Sequence, residues 1–312
     1  MKERVMTGLM ITLVLVFAFL AREFSQYVFD ALILVTCVFA ANESSNLFAK
    51  IGFYNSKTVV MIYPFALYAL LMLSMTLNLH ILTAITLQLV LILLFMAITF
   101  FVFLLSKKYT DNEIKTRKYK GKLSRFAFNK AMHTTISMLY PTLFFMSFVL
   151  INHFDKLGLA TTADLKLFSF IALLFTFLIA IFTDIFSMLT GSLIGGKKLA
   201  SSISPKKTIS GFIGGIVFAL LFVLGIFLIF NSFDTFHTLF TILGIQTWHI
   251  VLLAILGSLV CNAGDLFESF LKRKASVKDS GNILPGHGGM LDRIDSHTFN
   301  ALFVLLFFII LI

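Results

Sequence analysis

The sequence predicts an all-α, polytopic integral membrane protein with about nine transmembrane helices and a cytoplasmic N-terminus, residues 1–312 forming a single membrane domain. Composition, run length and charge order together predict it. Hydrophobic residues make up 59% of the chain, 38 residues are phenylalanine and only 13% are charged, against about 25% in an ordinary soluble domain. Apolar runs close to 20 residues long recur, the length a helix needs to cross a hydrocarbon core of about 30 Å. The basic residues between those runs keep to alternate sides of them.

The runs lie at roughly 5–21, 27–42, 58–78, 80–105, 132–151, 167–184, 211–230, 246–263 and 298–312. The first follows Lys2 and Arg4, lacks a small-residue cleavage site, and reads as a retained span rather than a signal peptide. The third and fourth meet at Asn78 and His80, which predicts a tight helical hairpin. With the N-terminus inside, the inner segments hold Lys2 and Arg4, then Lys50 and Lys57, the basic stretch 106–131, the lysines at 197, 198, 206 and 207, and the basic residues of 264–297. The outer segments keep only Arg22, Lys156 and Lys166, so 22 of the 25 basic residues fall inside. That asymmetry is what the positive-inside rule requires. The net charge of +10 is therefore a topology signal and a surface for anionic membrane lipids, and no nucleic-acid partner is expected. The stretch 106–131 carries nine Lys or Arg and reads as an anchoring loop. Cys37 and Cys261 sit in apolar runs without disulfide or metal spacing and read as buried thiols.

Two polar segments, 184–210 and 264–297, carry the candidate chemistry. Each opens on an aspartate at the inner end of a span, Asp184 and Asp265, where an ionisable residue is costly and so points to function. Asp265, Glu268, Ser269 and Lys272 share one helical face by their spacing. Asp292 and Asp295 repeat an i, i+3 pair with Arg293 between them. Gly281, Pro285, Gly286, Gly288 and Gly289 break regular structure in between, giving two acidic helical ends joined by a tight loop. Clustered carboxylates repel one another unless a cation joins them. Hard oxygen ligands suit Mg2+, and a second cation has enough acids to share. The neighbouring lysines and arginines point to phosphate. His287 is positioned to donate to a phosphate oxygen or relay a proton. In the upstream segment Ser204, Lys206, Lys207 and Thr208 supply hydroxyls and ammonium groups for a polyphosphate, without a Walker A pattern. Gly211, Gly214 and Gly215 read as a close helix-packing surface.

Residues 264–296 resemble the signature of the phosphatidate cytidylyltransferases, through GDLFES at 264–269, KR at 272–273, KD at 278–279, PGHGG at 285–289 and DRIDS at 292–296. The run from Asp184 through GxxxG at 191–195 to SPKKT at 204–208 and GFIGG at 211–215 resembles the family's upstream region. The resemblance implies an enzyme that joins CTP and phosphatidic acid into CDP-diacylglycerol and pyrophosphate with Mg2+. It also implies an active site on the cytoplasmic face of the cell membrane, and it allows a homodimer. Carried over, Asp265, Asp292 and Asp295 would hold the metal, with Glu268 and Asp184 as further acids. Ser269, Lys272, Arg273, Lys278, His287 and Arg293 would surround the phosphates, and Ser204, Lys207 and Thr208 would face the nucleotide. The sequence departs from the family after Asp184, where Ile185, Phe186, Ser187 and Met188 replace a D-x-G-A-Y pattern, and at Ser210, where a glutamate is usual. An isoprenoid-lipid acceptor and an inactive relative are the alternatives left open. A transporter is disfavoured because the acids cluster at span ends rather than mid-span, with Asp30 the nearest exception and expected at the interface.

Overall fold

The computed structural model describes residues 2–116, 119–159 and 161–312. Arg117 and Lys118 of the basic stretch lie outside the described residues. Twelve α-helices follow one another: α1 Lys2–Phe24, α2 Gln26–Ile51, α3 Lys57–Thr76, α4 Ile81–Leu105, α5 Lys107–Thr116, α6 Leu123–Met138, α7 Ser147–Asn152, α8 Leu165–Ile194, α9 Ile209–Asn231, α10 Asp234–Ile242, α11 Thr247–Lys274 and α12 Leu291–Leu311. Among the described residues nine segments are long and apolar enough to cross a membrane, in agreement with the predicted number. The fifth runs from Leu123 to Asn152 and is broken at Tyr140, whose φ of −113° and ψ of 123° leave the helical region. Pro141 follows it, without an N–H to continue the ladder. The stretch read as an anchoring loop is largely helical, because α5 and the start of α6 occupy it; Lys130 turns inward to Glu113 at 2.5 Å rather than toward headgroups.

The helix ends build the site. α2 is central and packs on α1, α3, α6, α7, α11 and α12. The tightest pair is α8 with α9, and there the sequence reading of the glycines holds. A Cβ on Gly214 would run into Thr190, and one on Gly215 into Ser187 and the Thr183 carbonyl. Small residues let these backbones close up where lipid supplies no hydrophobic drive. Between α8 and α9 the lysine-rich segment folds into an antiparallel hairpin, β1 Lys198–Ala200 with β2 Ser204–Thr208, in register Lys198 to Thr208.

At the opposite end of the bundle, in the first turns of α2, Asp30 is fully buried within the protein. Its carboxylate accepts from Asn152 Nδ2 at 2.9 Å and Tyr68 Oη at 3.3 Å and pairs with His153 Nε2 at 2.7 Å. Arg22, assigned by sequence to an outer segment, is equally buried and donates through Nε to Asn152 Oδ1 at 2.7 Å. A buried charge persists only with partners, and the ends of α1, α2 and α7 supply them to one another. Asp30→Ala strips His153 and Asn152 of their acceptor, a loss of about 3–5 kcal/mol for a broken buried pair. The thermal midpoint in detergent, followed by dye labelling of the buried Cys37 and Cys261, is expected to fall by several degrees; an unchanged midpoint would show the cluster to be dispensable.

Candidate active site

The neighbouring ends of α8, α9, α11 and α12, with the hairpin, meet around two adjoining cavities, with α2 packed behind. The first, about 570 Å3, is lined by Asp184, Lys206, Lys207, Thr208, Asp265, Lys272, Asp279, Asp292, Arg293 and Asp295. The second, about 690 Å3, lies under the 278–288 loop and is lined by Lys278, Asn282, His287 and Gly288. Asp279 and Arg293 line both and form the wall between them. Residues far apart in the chain and predicted from two separate segments are thus brought together.

α11 and α12 are joined by an ion-pair triad. Lys272 Nζ reaches Asp292 Oδ1 at 2.7 Å across the helices and pairs with Glu268 one turn back on its own helix. Glu268 is fully buried, and its Oε1 has no hydrogen-bond partner among the described residues. Lys207 on β2 reaches Asp265 Oδ2 at 2.6 Å, closing the hairpin onto α11. Arg273 donates from Nε to the Ile203 carbonyl at 3.2 Å, so it braces the hairpin turn and lines neither cavity. Ser204 and Ser269 line neither cavity as well; Ser269 donates to Asp265 Oδ1 at 3.3 Å. Thr208 faces the first cavity but also caps α9, its Oγ1 accepting from Gly211 N at 3.1 Å, the usual work of an N-cap threonine. Ser210 donates to the Gly195 carbonyl, tying the base of the hairpin.

Asp292, expected among the metal carboxylates, has its oxygens occupied. Oδ2 accepts from Ser280 N at 2.9 Å, Ser280 Oγ at 3.0 Å and Gly289 N at 2.8 Å, while Oδ1 receives Lys272. In this arrangement it organises the loop. Asp184 is exposed to the cavity and accepts from Ser296 Oγ at 2.7 Å; Asp295 accepts from Ser296 N at 2.9 Å. Neither is ion-paired among the described residues, and Asp295 lies within the electrostatic reach of both Asp184 and Asp265. Among the described residues no three His, Cys, Asp or Glu side chains converge as a ready-made metal site. The donor set nonetheless fits Mg2+, which typically uses one or two carboxylates and completes its shell with substrate phosphates and water.

Sequence reasoning missed Glu43. It sits on α2, is 2% exposed, and enters the loop from behind. Oε1 accepts from Met290 N at 3.1 Å; Oε2 accepts from Leu291 N at 2.8 Å and lies 2.9 Å from Ser280 Oγ. Those amides are unpaired donors of the first turn of α12. Gly281 and Gly289 press against the carboxylate so closely that a Cβ at either would collide with it. In the sequence Glu43 stands just past the second apolar run, in the short polar stretch 42–46, with no motif to mark it.

A sequence profile described as the cytidylyltransferase family matches residues 2–311. The chain is 38% identical over 176 residues to a phosphatidate cytidylyltransferase of Staphylococcus haemolyticus, covering 56% of this chain and 58% of the relative. It is 42% identical over 127 residues to that of Staphylococcus saprophyticus, covering 41% and 45%. It is 36% identical over 174 residues to that of Bacillus subtilis, covering 56% of each chain. The matched stretch thus spans about half the length of each relative.

Glu43→Ala leaves the Met290 and Leu291 amides without their acceptor and removes one of the two acceptors shared by Ser280 Oγ. Opening of the loop is expected to become easier, with tryptic cleavage at the exposed Lys278 accelerated by about tenfold or more, and Glu43→Gln in between because it keeps one acceptor oxygen. Cleavage at the parental rate in Glu43→Ala would show that the loop holds itself.

Proposed function

The chain belongs to the cytidylyltransferase family, and from that premise we propose that it transfers the cytidylyl group of CTP to phosphatidic acid at the inner face of the cell membrane. The observation that carries the reading is the charge of the first cavity. Asp184, Asp265, Asp279, Asp292 and Asp295 line it against Lys206, Lys207, Lys272 and Arg293. Five carboxylates facing four cationic groups repel a triphosphate until added cations reverse the balance. A site that takes two anionic substrates through Mg2+ accounts for that excess, whereas a simple anion-binding pocket would be basic. The relatives' printed names supply the acceptor, phosphatidate, and the match at the C-terminal signature supports it over an isoprenoid alcohol.

In the reaction a phosphate oxygen of the lipid attacks the α-phosphorus of CTP, the bond to the β-phosphate oxygen breaks, and pyrophosphate leaves. A phosphate monoester is already ionised near neutral pH, so no side chain must act as nucleophile and no proton must be removed first. The protein's work is to bring the anions together and meet the charge that moves onto pyrophosphate. Lys206, Lys207 and Lys272 would meet the triphosphate in the first cavity. Lys278 and His287 would meet the lipid phosphate in the second, with Arg293 on the shared wall able to contact both. Asp184 and Asp295, with Asp265 once Lys207 turns to phosphate, would hold Mg2+. Bound there, the ion would supply Lewis-acid stabilisation of phosphate oxygens.

The test is transfer of label from α-labelled CTP into lipid by purified protein with phosphatidic acid and Mg2+. Labelled CDP-lipid is expected. Asp295→Asn and Asp184→Asn should each lower turnover by about 10²- to 10³-fold while the protein still inserts and melts normally. Asp292→Asn should fail as well, accompanied by faster cleavage of the loop. A folded protein that makes no product with phosphatidate but labels an isoprenoid alcohol would reassign the acceptor.

A further inference from the structure

The membrane-buried part of the molecule carries an apolar groove that the cavities do not explain. It lies between α1 and α8 and has a volume of about 600 Å3, within the size range of small-molecule sites. Leu15, Val16 and Phe19 form one wall and Leu174, Leu178 and Ile181 the other. α1 is pinned at both ends and stands off between them. At its inner end Thr7 Oγ1 donates to the Pro285 carbonyl at 2.9 Å, and Gly8 lies against the His287 ring. At its outer end Arg22 Nη2 donates to the Lys166 carbonyl at 3.4 Å. Between these anchors Phe19 leans across, edge-on to Phe170 and Phe177 with ring centroids 6.0 and 5.5 Å apart. Val16 and Leu20 are 50% and 64% exposed, so the groove opens sideways to the bilayer.

Both walls lead into the site. Ile181 lies three residues, about 4.5 Å along the axis, from Asp184. Leu15 lies seven residues, about 10.5 Å, from Gly8 and the His287 loop. Phe177, which also lines the groove, packs against the ring of His297 at 5.3 Å, and the adjacent Ser296 bonds Asp184. One rim of the groove carries Glu23, Asp164 and Lys166, and its other end, at Ile181, lies toward the first cavity.

We propose that the α1–α8 groove is a substrate site that receives one acyl chain of the diacyl phosphate lipid, entering sideways from the bilayer with its phosphate rising to the His287 loop. The proposal rests on the phosphatidate reading given above. It makes the groove, and Val16 and Leu174 in particular, a determinant of chain length.

The test uses the full chain with its single tryptophan, Trp248, changed to Phe, and with Leu174→Trp or, should that variant not fold, Leu178→Trp. The protein is placed in phosphatidylcholine vesicles containing an equal small fraction of either phosphatidate or phosphatidylcholine brominated on its acyl chains. Brominated phosphatidate is expected to quench the introduced indole with an apparent affinity at least about threefold tighter. Equal quenching by both lipids would mean boundary lipid only and would overturn the proposal. In turnover, Val16→Trp is expected to raise KM for dioleoyl phosphatidate about tenfold, the worth of a few lost buried methylenes, leaving KM for dihexanoyl phosphatidate and for CTP as they were. A rise shared by both chain lengths, or none, also overturns it. A parental protein inactive on any phosphatidate would instead sink the functional reading, while the quenching comparison would still decide whether the groove selects that lipid.

Discussion

Two carboxylates sharing one hydroxyl hold the 278–290 loop in place. Ser280 Oγ lies between Glu43 Oε2 and Asp292 Oδ2, at 2.9 and 3.0 Å, and has a single proton to offer. The rest of the segment from 275 to 290 has almost no ladder of its own, beyond the bridge between Leu284 and Gly288. Its order comes from backbone amides aimed at these two acids. The amides of Gly289, Met290 and Leu291 belong to the start of α12, where unpaired N–H groups and the helix dipole favour negative charge. Glu43 therefore obtains compensation for burial from the end of a helix, without a lysine. That saving matters here, because every cationic side chain spent on structure is one fewer for phosphate.

The same economy governs the cavity lysines. Lys207 is held by Asp265, and Lys272 by Asp292 and Glu268. These pairs fix long, flexible side chains before substrate arrives, which reduces the entropy lost on binding. They also set a threshold. A phosphate must compete with a carboxylate for each ammonium group, and a freed carboxylate such as Asp265 then becomes available to a cation. Nucleotide and Mg2+ binding would on this account be mutually reinforcing. The mechanism needs no preassembled three-ligand metal cluster.

Spans, their number and the convergence of the two polar segments were legible in the sequence because hydropathy and glycine placement are local signals. The glycines at 211, 214 and 215 announced the α8–α9 contact. Glu43 was not legible: its partners Ser280, Met290 and Leu291 are more than 230 positions away, and an isolated acid has no spacing to read. The partners of Asp30 were not legible for the same reason, since Asn152 and His153 lie 122 and 123 positions on. Many of the motif residues come together around the two cavities, but motif membership did not separate wall from buttress. Arg273 and Thr208 earn part of their place by bracing the hairpin and capping α9, and Glu268 lies behind Lys272 instead of in the cavity.

Asp30 and Glu43 turn out to be two ends of one device. Thirteen residues separate them, about 20 Å along α2, and both are buried acids whose partners come from remote segments. Asp30 fixes the N-terminal end of α2 to α7, which also receives Arg22 of α1 through Asn152. Glu43 fixes the C-terminal end to the 278–290 loop, which in turn receives Thr7 of α1. α2 thus sets the height of the loop relative to the far membrane face, and α1 is suspended from both of its ends. The gap α1 leaves against α8 follows from those two attachments rather than from loose packing. A lipid chain in that gap would lie beside the α2 strut, since Phe29 of α2 meets the groove-lining Phe177 with ring centroids 6.3 Å apart.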